Sequence, residues 1–543
     1  MKKGQLGFII LTFINIICYG QGTITGNFRL NTDFYDRDPK IGAIGANYDA
    51  NKSSANAWLQ TIYTNKDWGL EAGLRFDGNY NSIIQDPSNP TTFNGIGNWY
   101  IKKKIDNLEV QAGYIYEQYG SGLALRCFEE RSLGIDNAII GVKAKYRISD
   151  NLVAKAIAGV QKNRLSQFGS FIKGVNLEGT KDVNEDMGIN YGLSIVNRTL
   201  SADDRQAIDK VILTYPAEDG YFAAPYNTVV FQGYNTLRHG NFSWYVEGAY
   251  KTAEAIYNPL LAKNQFIYKP GTSVLTSLTY AIPKFGVTLQ ARRTENFQFQ
   301  STSEGSNDFN LNNNRRLAFL APINRQNSLR MPARFQVAPQ DIGEIGLSFD
   351  ATYKFSKNIS LNLSLCAIDS TGKTDPYYRE GYFDTEIKKF LHPSLSAHFG
   401  FQYVYYNQFL YQRDGAKDVV AYTPFMEFSY KLDRKKSVRL ELQYQNAEKE
   451  LGQSAFALLE FNVAPHWSMS ITDLYNFKPN KDYYVTQYRV PNHFYSAFVA
   501  YTKDVTRLTL AYVKQLQGIV CTGGVCRVEP AFSGIRAQLT TSF

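Results

Sequence analysis

Apolar and polar residues change places at nearly every step of this 543-residue chain, and that period of two decides what it can fold into. Side chains of a strand point alternately to opposite faces, so such a segment has one greasy face and one wet face. In the first segment Ile24, Gly26, Phe28, Leu30 and Phe34 share a face, and Thr25, Asn27, Arg29, Asn31 and Asp33 share the other. Trp68, Leu70, Ala72, Leu74 and Phe76 stand against Gly69, Glu71, Gly73, Arg75 and Asp77. Ala138, Ile140, Val142, Ala144, Tyr146 and Ile148 oppose Lys143, Lys145 and Arg147. Farther on, Ile345, Leu347, Phe349, Ala351, Tyr353 and Phe355 alternate with Glu344, Ser348, Asp350 and Lys354.

Tight turns punctuate the pattern at Asn65-Lys66-Asp67, Asp106-Asn107, Ser149-Asp150-Asn151, His239-Gly240, Pro283-Lys284, Ser356-Lys357-Asn358 and Lys503-Asp504. Longer polar loops lie between the hairpins, the longest from about Phe297 to Asp341. Trp68, Tyr146, Tyr353, Phe355, Tyr430 and Trp467 flank the turns, as an interfacial girdle does. These features predict an all-β fold: a transmembrane antiparallel barrel of about 24 strands, within a range of about 20–26, with short periplasmic turns and long extracellular loops. The pattern weakens from Asn197 to Asn227, where Asp203-Asp204-Arg205-Gln206 suits the start of a short helix and one strand is a guess. Alternation begins at Ile24, which leaves no separate plug domain ahead of the barrel.

Both ends carry export and insertion signals. Lys2 and Lys3 precede an apolar stretch from Leu6 to Ile17, and Cys18-Tyr19-Gly20 offers a cleavage site before Gln21. The expected layout is therefore a signal peptide over 1–20 and an outer-membrane barrel over 21–543, reached by Sec-type export. The apolar stretch falls short of the roughly 20 residues of a spanning helix. Mean hydropathy is −0.32 with 14% aromatic residues, as suits strands that show lipid only half their side chains. In the last segment Ile535, Ala537, Leu539, Thr541 and Phe543 alternate with Arg536, Gln538, Thr540 and Ser542. Ile535, Ala537, Leu539 and the terminal Phe543 look like the signal read by the barrel-assembly machinery.

Residues 116–137 read YEQYGSGLALRCFEERSLGIDN and 519–534 read IVCTGGVCRVEPAFSG. Together with the full-length alternation and the terminal Thr541-Ser542-Phe543, they resemble an uncharacterised, domain-of-unknown-function family of outer-membrane β-barrels from Bacteroidota, which are Gram-negative bacteria. The resemblance covers the mature chain; it implies the location and the barrel and carries no substrate.

Chemistry is sparse. The segment Gly120–Asn137 breaks alternation and sets Arg126, Glu129, Glu130, Arg131 and Asp136 beside Leu123, Leu125 and Phe128. One reading folds it into the lumen as a constriction with Lys143, Lys145 and Arg147 of the wall; the other leaves it outside with solvated charges. Wall charges of both signs either select anions or simply hydrate a wide interior. Cys521 and Cys526 are spaced for a disulfide, Cys366 suits a small lumen filler, and Cys127 stays unpaired. Asp182, Asn184 and Asp186 weakly resemble a calcium loop, but Gly188 is one place late and Leu193 stands where a bidentate Glu belongs. An acidic loop fits better, so no metal and no cofactor is expected. The 5 His form no metal or catalytic motif, and no basic run interleaves with aromatics, which argues against nucleic acid.

The leading functional expectation is a passive, porin-like channel for small solutes. A non-conducting barrel serving as scaffold or adhesion platform comes second, with the long loop through Arg315-Arg316-Leu317 and Pro332-Ala333-Arg334 as its exposed surface. An outer-membrane enzyme comes third. Expected partners are outer-membrane lipid, the barrel-assembly machinery and small solutes.

Overall fold

The computed structural model describes residues 22–84, 90–163, 166–216, 221–261, 263, 265–302, 314–372, 376–412, 415–482, 488–522 and 525–543, with backbone alone from 519 to 526. The expected signal peptide lies outside them, as do the side chains of Cys521 and Cys526. Those two residues sit opposite each other in a small ribbon, Gly518–Thr522 against Val525–Glu529.

Twenty-four strands form one sheet in which each pairs antiparallel with the next, as the turn spacing predicts. The first strand, Thr23–Tyr35, also pairs with the last, Phe532–Ser542, so the sheet closes. Closure leaves no edge with unpaired amides, which a sheet surrounded by lipid requires. At the seam, Gly26 N donates to Phe543 O over 2.8 Å and Phe543 N donates to Gly26 O over 3.0 Å.

The alternation sorts as its chemistry demands. Leu74 and Phe76 are exposed on the outside, whereas Arg75 between them is buried on the inside. Leu193 and Ile195 face out; Ser194, Val196 and Arg198 face in. Ile535 and Phe543 of the expected assembly signal lie on the exposed outer face, with Ala537 and Leu539 half-buried on the same side. A slip of one residue would turn Arg536 toward the apolar side, at about 2–4 kcal/mol near a bilayer midplane.

The tight turns named above all lie at one end of the barrel and the long connections at the other. In the weakly patterned stretch the strands Met187–Thr199 and Asn227–His239 are joined by a helix, Ala202–Ile212. Ser201 caps that helix by accepting from Asp204 N over 3.1 Å, as the acidic start suggests. The guessed strand is absent among the described residues. The suspected calcium loop is a hairpin turn between Ser166–Asp182 and Met187–Thr199. Asp182 ends the ladder opposite Gly188, and Asn184 Oδ1 is taken by Asp186 N over 3.0 Å.

Candidate functional site: two loops inside the barrel

Two long connections turn inward from the rim. The first follows the strand Leu108–Ile115 and precedes Ile139–Ser149; the second links Phe285–Glu295 to Gly343–Lys354. The inward direction follows from what they touch. Ser121 N donates to Glu247 Oε1 over 3.1 Å and Gln232 Nε2 donates to Tyr119 O over 3.1 Å, on strands far around the ring. Gly120 adopts φ +53 there, a left-handed conformation that favours glycine, and a Cβ would meet the ends of the Glu247 and Gln232 side chains.

Apolar side chains fill the contact. Tyr119, Leu123, Leu125 and Cys127 of the first loop and Phe297, Phe299, Leu317 and Leu320 of the second bury themselves against inward-facing Ile157, Ile172, Val196 and Val230. The loops also bond to each other: Arg126 N donates to Leu317 O over 2.8 Å and Phe319 N donates to Gly122 O over 3.1 Å. The result is a small hydrophobic core inside a hydrated cylinder.

Charges flank that core in pairs. Arg75 Nη1 lies 2.5 Å from Glu129 Oε1 and its Nε 2.7 Å from Asp77. Lys162 Nζ lies 2.5 Å from Asp136, which also accepts from the Tyr116 hydroxyl over 3.0 Å. Burial and then the charge of Asp136 push the Tyr116 hydroxyl well above its ordinary range, so it stays a donor. Of the other sequence-predicted residues, Arg131 pairs with Glu129 over 3.1 Å and Lys143 pairs with Glu117 over 2.8 Å. Arg126 lies with its guanidinium 4.7 Å from the Phe128 ring centroid, and desolvation lowers its proton affinity. Glu130 caps a short turn by accepting from Ser132 N over 3.2 Å. The structure does not bring in Lys145 or Arg147, which lie nearer the tight-turn end of their strand.

Sequence reasoning missed most of the anchors of the second loop. Lys251 Nζ donates to Gln298 O over 2.5 Å and pairs with Glu254, which also pairs with Arg198 over 2.7 Å. Arg292 pairs with buried Glu344 and donates to Ala321 O. Farther along, Met331 N donates to Gln443 Oε1 over 2.8 Å, Gln402 Nε2 donates to Pro332 O over 3.3 Å, and Arg334 pairs with Glu450. The side chain of Met331 packs in a cluster with Tyr35 and Phe532 at the seam, so this loop crosses the lumen. The expectation that Arg315, Leu317 and Pro332 belong to an exposed platform is therefore corrected: all three are buried. A wet lumen tolerates the same polar composition as open solvent, which is why the sequence resembled a surface loop.

Cys127 and Cys366 are both buried free thiols, and burial pushes the Cys127 thiol far above its usual range. We expect a water-soluble maleimide to leave Cys127 unmodified in the folded protein and to label it fully after denaturation, as read by peptide mass spectrometry. Rapid labelling in the folded state would mean that the inward loop opens readily.

No curated protein matches the chain. Among solved structures it is similar to the siderophore receptor PirA from Pseudomonas aeruginosa, at 9% identity and TM-score 0.44, covering 96% of this chain and 81% of that one. It is also similar to the P pilus usher (PapC) translocation pore, at 9% identity, TM-score 0.43, and 96% and 99% coverage of the two chains. A third likeness is to OccK1 (OpdK) of Pseudomonas aeruginosa, at 11% identity, TM-score 0.35, and 83% and 98% coverage. The model of one family matches residues 1–543, and the chain thus belongs to that family of unknown function, DUF6029.

Proposed function

We propose that the chain is exported to the outer membrane of a Gram-negative bacterium and works there as a narrow channel for small solutes, constricted by its own two inward loops. Its closed sheet, apolar outside and charged inside, suits a bilayer with water along the axis. The observation that carries the channel reading is the uneven filling of the lumen. Glu247, Lys251 and Arg198 are buried beneath the loops, whereas Arg29, Asn31 and Asp33 of the seam-side wall keep part of their surface open. Solutes would pass along that wall. No catalytic step and no cofactor belongs to this reading.

A planar lipid bilayer tests it. The purified full-length barrel is expected to give small, discrete current steps, well below those of a wide-open pore. Complete silence from protein shown to be inserted would overturn the channel and favour a closed barrel acting as a scaffold.

A further inference from the structure

Two cavities lie inside the barrel beside the seam. One, of about 310 Å³, is bounded by Arg330 and Arg334 of the second loop; the other, of about 370 Å³, is bounded by Arg29, Trp58 and Arg536 of the wall. Gln515 and Glu529 line both, so the two adjoin in one space shared around these side chains, each with a volume at the small end of the range for ligand sites.

Cations outnumber anions around this space, and they are not all neutralised. Arg334 is held by Glu450 over 3.1 Å, and Glu529 is engaged by Arg527 and by Gln515 Nε2 at 2.7 Å. Arg536 pairs loosely with Asp33 at 3.5 Å and donates from Nη1 to Gln515 Oε1 over 3.2 Å, while its guanidinium lies 4.0 Å from the Phe532 ring centroid. Arg29 donates to the amide oxygens of Asn31 and, once its amide is turned the other way, Gln538, with the Glu130 charge near but not hydrogen-bonded to it. Arg330 forms neither a hydrogen bond nor an ion pair among the described residues and faces the open cavity 5.8 Å from the Phe456 ring.

Arg330 is exposed to the cavity, and its nearby counter-charge, Glu529, is already engaged by Arg527 and Gln515, so the Arg330 guanidinium is open to an anion from outside. Desolvation and then the neighbouring Arg334 charge lower the proton affinity of Arg330, and the Glu529 charge offsets part of this. Guanidinium forks match the paired oxygens of carboxylates and phosphates. The flat face of Trp58 lies 5.7 Å from Arg29 and 5.5 Å from Arg131, and it can support the apolar part of an organic anion.

We propose that this space is a binding site for a small organic anion carrying carboxylate or phosphate groups, with Arg330 as the principal charged contact and Arg29 and Arg536 as the opposing pair. The site does not depend on the channel reading, since an anion can bind a barrel that never conducts.

Calorimetric titration of the detergent-solubilised full-length barrel tests this, with citrate and inorganic phosphate as probes and calcium chloride as the opposite-sign control. Citrate binding is expected, weakening as salt rises, with phosphate binding less tightly. Arg330→Met is expected to raise the citrate Kd about tenfold or more while gel mobility before and after heating shows an intact barrel. The double variant Arg29→Met/Arg536→Met should weaken citrate comparably, and Arg293→Met, on the exposed outer rim, should leave the Kd unchanged. Absence of citrate and phosphate binding at low salt, binding of calcium instead, or wild-type affinity in folded Arg330→Met would each overturn the proposal. Citrate binding by a barrel that passes no current would overturn only the channel.

Discussion

Replacing Gly120–Asn137 with a short Gly-Ser linker is expected to raise the unitary conductance about tenfold and to let larger sugars through. Two effects add. The segment itself carries Leu123, Leu125 and Cys127 into the interior core, so its loss empties part of the cross-section. It also holds the second loop through the bonds from Arg126 N to Leu317 O and from Phe319 N to Gly122 O, so its loss frees a second obstruction. The cylinder should survive, because the strand Leu108–Ile115 pairs directly with Ile139–Ser149 and the ladder does not run through the loop. Unchanged current in a folded variant would show that this segment does not set the constriction.

Glu254→Gln is expected to produce the largest loss of stability among single lumen substitutions, about 3–5 kcal/mol. Glu254 lies between two cations that are themselves almost wholly buried: Lys251 at 2.5 Å and Arg198 at 2.7 Å. An amide there removes the carboxylate charge that both cations share. The damage should reach the second loop first, since Lys251 also holds Gln298 O and Arg198 Nη1 holds Gln300 O over 3.3 Å. Hydrogen exchange should therefore speed up around Phe297–Gln300 before the strands are affected, and the denaturant midpoint should fall. Replacing the three together by Met, Met and Leu should restore most of the stability, because similar volume returns without any buried charge. If Glu254→Gln alone is neutral, the triad does not anchor the loop.

The cylinder was legible in the sequence because its rule is enforced at every step. Arg75 cannot trade places with Leu74 or Phe76 without placing charge on the apolar outer face, so the alternation stays visible strand after strand. The seam was readable from Ile535 to Phe543 for the same reason, and the helix at Ala202–Ile212 from its capping serine and early acids. What occupies the lumen was not legible. Glu129 finds Arg75 and Gln298 finds Lys251 across 54 and 47 residues, and no periodicity links such partners. Lys143 and Lys145 look alike along the chain, yet among the described residues Lys143 alone of the two forms an ion pair, with Glu117, whose position depends on how the loop turns.

A hoop of this circumference is readily flattened, since every ladder bond runs around its rim and none across it. The stretch from Phe297 to Asp341 changes that mechanically. It is tied to Lys251 and Arg292 on one side, to Gln402 and Gln443 farther around, and through Met331 to the residues beside the seam. It therefore acts as a spoke. Cutting it should allow the rim to relax toward an ellipse under lateral membrane pressure, even where no wall residue has been altered.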